Sequence, residues 1–325
     1  MKLDVGELLD RATLAADAPV RDLEQLHGGV SSLTFSAYLE DRKVVIKVAP
    51  PGLEPVRNRD VLRQARLLRA LEPTPVRVPT VLVEDAGTPP FFIMDYVEGE
   101  SYEPTKDVAE APPAPETVRA RALAAASMLA ELQRVDPPDE PALPLREELD
   151  RWERLYATVP EELHHGQREL YDRLAATVPA PVAPKILHGD YRIGNMQFDG
   201  ERLAAIIDWE IWSLGDPRTD LAWLITWLDP VQRFYEQRPA ADERAAAGLP
   251  TRAELLATYG DEPPDLPWFE AYCRYKMAST TAVLVKQSRR RETPAPHLEV
   301  AATTLSAIIA RGLETLNQGR VAWSV

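Results

Sequence analysis

Residues 185–223 read KILHGDYRIGNMQFDGERLAAIIDWEIWSLGDPRTDLAW and hold four polar residues in a fixed order. His188 and Gly189 precede Asp190, Asn195 follows five residues later, and Asp208 comes thirteen residues after that, closing the apolar run Ala204-Ala205-Ile206-Ile207. The short stretch Met196-Gln197-Phe198, the turn signal Asp199-Gly200 and the run 202–207 predict a β-hairpin. In a hairpin the first residue of one strand faces the last residue of its partner, so Asn195 and Asp208 are expected at the same end.

These residue types suit phosphoryl transfer. An acceptor hydroxyl has to be oriented and its proton received as the new P–O bond forms, and a carboxylate within hydrogen-bonding reach does both. Asp190 is the candidate, with Arg192 in the same loop available to steady phosphate charge or to pair with an acid. A triphosphate also needs its charge neutralised, and magnesium prefers oxygen ligands. Asn195 and Asp208 offer one amide and one carboxylate oxygen.

The order H-x-D-x-x-x-x-N followed by an aspartate at a strand end is that of protein kinases. With Ile207-Asp208-Trp209-Glu210 and Gly215-Asp216-Pro217-Arg218-Thr219-Asp220-Leu221-Ala222, the segment resembles the aminoglycoside phosphotransferase family, a branch of the protein-kinase-like fold. The resemblance runs from about residue 20 to at least 225 and is weak beyond 230. It implies an α+β, bilobal protein-kinase-like fold: a small N-terminal lobe with an antiparallel sheet plus a helix (1–97), which binds nucleotide, and a larger, mainly helical C-terminal lobe (98–325). It implies ATP and Mg2+ as cofactors, with His188 organising the catalytic loop and Asp220 bracing it. Asp220 is also placed to cap the helix it opens. Glu210, two residues after Asp208, is read either as facing a second metal or the substrate, or as a solvated surface acid.

Working outward, residues 20–50 alternate in polarity and carry turn signals. Strands are expected at 21–26, 32–39 and 43–48, and two more at 78–84 and 91–97, making an antiparallel sheet of about five strands. Apolar positions at helical spacing mark a helix over 57–71. In Lys43-Val44-Val45-Ile46-Lys47-Val48, alternation puts Val45 and Lys47 on one face and Val44, Ile46 and Val48 on the other. The stretch resembles the kinase strand V-A-I-K, whose lysine pairs with nucleotide phosphates. Gly28-Gly29-Val30-Ser31-Ser32 lies before the second strand; glycines admit phosphate to backbone amides, and the family's shorter phosphate loop would turn Ser31 and Ser32 toward the phosphates. Met94, Tyr96 and Val97 lie where a kinase-like connector offers backbone groups to the base. The family's helix usually carries a glutamate that pairs with the lysine. Here that position aligns with Gln64, which cannot neutralise it, and Asp60 lies one turn earlier.

From 116 onward helices are expected at 116–135, 145–158, 161–178, 217–228, 251–260, 266–290 and 297–317, interrupted by the hairpin. Residues 101–115 are proline-rich and polar and read as a loop. Acceptor-pocket candidates are Glu100, Glu103, Asp107, Trp212, Trp227, Asp229, Trp268 and Tyr272, the tryptophans serving equally well as core.

Composition narrows the classes. With 37 basic and 51 acidic residues the net charge is −14, which argues against nucleic acid, since phosphate contacts need basic patches. No apolar run approaches a membrane span and the start, Met1-Lys2-Leu3-Asp4, lacks a signal pattern, so a cytoplasmic location is expected. Cys273 stands alone and excludes an internal disulfide. His164-His165 lacks the spacing of a zinc site. The expected activity is transfer of the γ-phosphoryl group of ATP to a hydroxyl of a small molecule, aminoglycoside-like or another metabolite, with neither nucleic acid nor membrane as partner. A nucleotide-binding pseudokinase, favoured by Gln64, and a magnesium-dependent phosphohydrolase stay open beside it.

Overall fold

The computed structural model describes residues 3–26, 32–230 and 238–322, and the chain divides into two compact units. One comprises Met1–Ser101 with Asn195–Trp212, the other Tyr102–Gly194 with Ser213–Val325.

The first unit opens with a helix absent from the sequence expectation, α1 (Val5–Ala16), capped by the Asp4 carboxylate, which accepts from the N–H groups of Gly6 and Glu7. Then come β1 (Val20–Leu26), β2 (Leu33–Leu39), β3 (Arg42–Val48), α2 (Val61–Leu71), β4 (Val81–Asp85) and β5 (Phe91–Asp95). The five strands form one antiparallel sheet in the order β1-β2-β3-β5-β4. Val44, Ile46 and Val48 of β3 are fully buried with Phe35, Ala37, Phe91 and Ile93, and Leu8 and Ala12 of α1 cover that face. Each such side chain contributes roughly 1.5–3 kcal/mol on burial. The apolar face is thus closed by α1, and alternation turns Lys47 to the other side.

The predicted hairpin forms, with strands Met196–Asp199 and Arg202–Ile206 and Gly200 at φ +60 in the turn. It belongs to the first unit through backbone bonds. Ile206 N–H donates to Arg77 O at 2.9 Å, and Glu100 and Phe198 exchange N–H···O bonds at 2.9 and 3.0 Å. That exchange brings the chain so close that a Cβ on Gly99, at φ +151, would lie 2.8 Å from Phe198 O.

The second unit is built around one long helix. Its helices are α3 (Pro115–Leu132), α4 (Leu145–Tyr156), α5 (Gln167–Ala176), α6 (Arg218–Trp227), α7 (Ala240–Ala246), α8 (Arg252–Tyr259), α9 (Leu266–Arg289), α10 (Pro296–Thr303) and α11 (Leu305–Ala322). α4, α5, α6, α10 and α11 all pack on α9, which is buried nearly all round over residues 266–279, as a central helix must be. Two expected helices are shorter or divided. The 161–178 segment starts its α-helix at Gln167 after Gly166 at φ +85, and 297–317 is two helices meeting at Thr304. Lys185–Leu187 and Ser213–Gly215 pair as short antiparallel strands flanking the motif. Among the described residues no helix is long and apolar enough to cross a membrane.

Candidate active site

In the second unit the loop 188–194 is held from below. Asp220, in the first turn of α6 and fully buried, does not cap that helix. Its two carboxylate oxygens accept from the N–H groups of His188 (2.6 Å) and Gly189 (3.1 Å). The short cap-like contact at this helix comes instead from Asp216, which accepts from Arg218 N–H at 3.1 Å. Burial pushes the Asp220 carboxyl up, against the pull of His188 and the backbone donors. His188 Nδ1 accepts from Asp190 N–H at 3.2 Å, so its proton sits on Nε2 when the ring is neutral. Lys276, from the middle of α9, donates to Gly189 O at 2.6 Å.

These contacts present Asp190. Its Oδ1 accepts from the Trp223 indole N–H at 2.7 Å and its Oδ2 from Arg192 Nε at 3.1 Å, with the side chain 28% exposed. Burial pushes this carboxyl up, but Arg192, the Trp223 N–H, His188 and Lys276 outweigh it and hold the group below the usual carboxylate range. Arg192 lies over the Trp227 ring at 4.9 Å, and its Nη1 is 3.5 Å from Glu103 Oε2. Glu103 is fully buried; its Oε2 accepts from Gly194 N–H at 2.9 Å, while Oε1 has no hydrogen-bond partner among the described residues. Burial raises its carboxyl to about 7, against the lowering effect of Arg192 and Gly194 N–H. The acid read as an acceptor-pocket candidate therefore ties down the 188–194 loop. Of the other pocket candidates, Trp268 and Tyr272 stack on each other in the core, Asp229 pairs with Arg274 at 2.7 Å, and Asp107 accepts from Glu103 N–H at 2.7 Å.

The first unit holds the remaining candidates. Ile207 N–H donates to Asn195 O at 2.9 Å, so the hairpin does bring Asn195 and Asp208 to one end. Asp208 takes a left-handed conformation (φ 64, ψ 51), which aspartate tolerates better than most residues, before the turn Trp209–Ile211. Lys47 is buried, and its Nζ lies 3.0 Å from Asp208 Oδ1 and 3.9 Å from Glu210 Oε2. Neither Gln64 nor Asp60 is its carboxylate partner. Asp60 caps α2 by accepting from Arg63 N–H at 3.0 Å, and the buried Gln64 Nε2 has no hydrogen-bond partner among the described residues. Glu210 is not a solvated surface acid: its side chain is 14% exposed. Trp212 lies under the Arg63 guanidinium at 3.6 Å, and its carbonyl accepts from Arg63. Ser32 is buried with no partner for its hydroxyl among the described residues, while Gly28, Gly29 and Ser31 fall outside the described residues. Met94 is buried in β5; Tyr96 N–H donates to Lys43 O at 3.3 Å and its ring lies under Lys43 Nζ; Val97 is half-buried.

Sequence reasoning missed Trp223, Lys276 and the pairing of Glu210. Trp223 stands three residues after Asp220, on the same helix face, and that spacing was a usable signal. A lone lysine inside the buried stretch Tyr275-Lys276-Met277 was another, since lysine is rarely buried without a partner.

Residues 22–256 match the phosphotransferase enzyme family. The chain is similar to acyl-CoA dehydrogenase family member 10 of Mus musculus (28% identity, covering 82% of this chain and 26% of that protein). It is also similar to acyl-CoA dehydrogenase family member 11 of Homo sapiens (23% identity, covering 79% and 35%). The chain therefore spans about a quarter to a third of these relatives. Among solved structures, a candidate aminoglycoside phosphotransferase from Ralstonia eutropha aligns over 98% of this chain and 99% of its own, with a TM-score of 0.75 at 20% identity. Spectinomycin phosphotransferase in complex with ADP and spectinomycin aligns over 97% and 99%, with a TM-score of 0.65 at 12% identity. At these identities the likeness is one of fold, and the fold is that of the kinase-like phosphotransferases.

Proposed function

The chain belongs to the phosphotransferase enzyme family, and we propose that it transfers the γ-phosphoryl group of ATP to a hydroxyl of a small molecule. The observation that carries this is the held state of Asp190. One of its oxygens is fixed by Trp223 and the other by Arg192, on a loop braced by Asp220 and Glu103. A carboxylate held below its usual range is a weak base. It suits a reaction whose transition state is loose, where orienting the hydroxyl comes first and the proton leaves late. Asp190 therefore aligns the acceptor O–H and takes its proton as the new P–O bond forms and the bond to the β-phosphate oxygen breaks. Arg192 stays cationic beside it, Asp190 and Glu103 outweighing the burial that works against its charge, and offsets phosphate charge.

Asn195 and Asp208 would hold magnesium. Their oxygens suit a hard cation, and the Asp208 side chain is 45% exposed, with its Oδ1 beside Lys47. Magnesium commonly takes one or two protein oxygens and completes its shell with phosphates and water. When bound, magnesium would supply charge neutralisation at the transferring phosphoryl group. Lys47 would hold phosphate oxygens together with Gly28, Gly29, Ser31 and Ser32, and Met94, Tyr96 and Val97 would border the base.

The charges flanking Asp190 include two cations, Arg192 and Lys276. They work against an acceptor carrying several ammonium groups and favour an uncharged or anionic hydroxyl compound. The alternative of nucleotide binding without transfer rests on Gln64, and the carboxylates of Asp208 and Glu210 beside Lys47 weaken it.

The test is ADP release from Mg·ATP across aminoglycosides, amino alcohols, sugars and hydroxy acids. One class should stimulate release, and Asp190→Asn should reduce it by about 10²–10⁴-fold while the melting-temperature rise with Mg·ATP is kept. Release unaffected by Asp190→Asn would sink the assignment. A flat panel with the temperature rise intact would favour the nucleotide-binding alternative.

A further inference from the structure

We infer that Glu210 is the positioning residue for Lys47: the carboxylate that keeps this lysine aimed when Asp208 is engaged elsewhere. The inference rests on the reading of Lys47 as a phosphate-binding residue.

Lys47 sits on the sheet face opposite the α1-covered core, with its side chain 8% exposed. A cation so buried needs a counter-charge within its own surroundings. Two carboxylates stand within reach. Asp208 is the nearer, at 3.0 Å, but its side chain is 45% exposed and it is one of the two oxygen ligands offered at the hairpin end. An oxygen shared with a divalent cation gives up much of its hold on an ammonium. Glu210 lies at 3.9 Å, is 14% exposed, and stands on the turn Trp209–Ile211, against which α2 packs. It is thus shielded where Asp208 is open.

Among the described residues no other acid pairs with Lys47. Asp60 is committed to the N-terminus of α2, accepting from Arg63 N–H, and to Arg66 at 3.5 Å. Gln64, on the buried side of the same helix, is neutral, and its amide nitrogen has no hydrogen-bond partner among the described residues. The turn that carries Glu210 is itself anchored to α2, because Arg63 lies over the Trp212 ring and donates to the Trp212 carbonyl at 3.0 Å. The lysine's negative partner therefore comes from the segment after Asp208 instead of from the helix, and α2 acts on it at one remove, by holding that segment.

The experiment is calorimetric titration of the full chain with Mg·ATP and, separately, with adenosine. Glu210→Gln should weaken Mg·ATP binding about tenfold, the loss expected for one charge-assisted contact, and leave adenosine binding unchanged. Glu210→Asp keeps the charge and should stay closer to the unaltered protein than Glu210→Gln does. In a Lys47→Met background, Glu210→Gln should add less than about a twofold further loss, because the two residues act as one unit. Equal Mg·ATP affinity in the unaltered protein and Glu210→Gln overturns the role. So does a full additional loss in the Lys47→Met background, or an Asp variant as weak as the Gln variant. If the unaltered protein binds no Mg·ATP at all, the functional reading itself fails and takes this role with it.

Discussion

Two aspartates at the heart of the motif are held in opposite ways. Asp190 has both oxygens engaged, by the Trp223 indole and by Arg192, and its own N–H is fixed on His188. Asp208 has, among the described residues, one ion-pair partner in Lys47, with a half-open side chain and a left-handed backbone. The difference matches the two tasks proposed for them. A residue that orients a hydroxyl gains from every restraint on its rotamer. A residue that ligates a metal has to leave lone pairs free. The two sites also differ in origin: Asp190 is fixed by helices and the loop they brace, Asp208 by a hairpin and a sheet.

Three substitutions would sharpen or break that contrast. The largest effect is expected from Asp208→Asn, which removes the open carboxylate. Phosphoryl transfer should fall by roughly a thousandfold, the scale of several kcal/mol of charge stabilisation, and its magnesium dependence should be lost. Transfer that keeps an unchanged magnesium titration would show that Asp208 is not a metal ligand.

Trp223→Phe comes next. It removes one donor to a charged acceptor, worth about 1.5–3 kcal/mol, and frees one oxygen of Asp190. The turnover number should drop by about tenfold or more with little change in the KM for ATP. A raised KM for ATP with normal turnover would mean that the restraint on Asp190 is not what matters.

The smallest effect on turnover is expected at Glu103, where the change is read in stability: its carboxyl is raised to about 7 in the folded chain. The unfolded chain loses this proton near the ordinary value of 4.5 and the folded chain only near 7, so folding is penalised progressively as the pH rises through that window. Glu103→Gln removes the penalty. The variant's stability relative to the unaltered protein should improve between pH 5 and pH 8, by up to about 3 kcal/mol from the linkage relation, as read from denaturant midpoints. A difference independent of pH would show that Glu103 is ionised throughout and bound to Arg192 as an ordinary ion pair.

How far the sequence could carry the structure is clear from particular residues. β3 was legible because Val44, Ile46 and Val48 alternate with Lys47, and the hairpin because a turn signal sits between two short apolar runs. Both are local patterns. α1 escaped notice because only Leu8 and Ala12 of its twelve residues are buried, too thin a stripe to register as a helical period. The three-residue strands around the motif are shorter than any periodicity can show. The site divides along the same line. That Asn195 and Asp208 share one end of the hairpin was readable because their spacing is short and a turn signal lies between them. The acids beside Lys47 were not, since Gln64 lay at the expected place while Asp208 and Glu210 stand far along the chain, and side-chain reach over such a separation leaves no trace in local spacing.

That separation has a cost in time. Lys47 and Asp208 are 161 positions apart. During synthesis at about 5–20 residues per second, Lys47 is made roughly 8–30 s before either of the carboxylates beside it. The nascent sheet must wait through that interval with an unmatched cation on one face, while its apolar face can already close on α1. The order of synthesis thus lets the scaffold of the first unit settle before its charged centre can be completed.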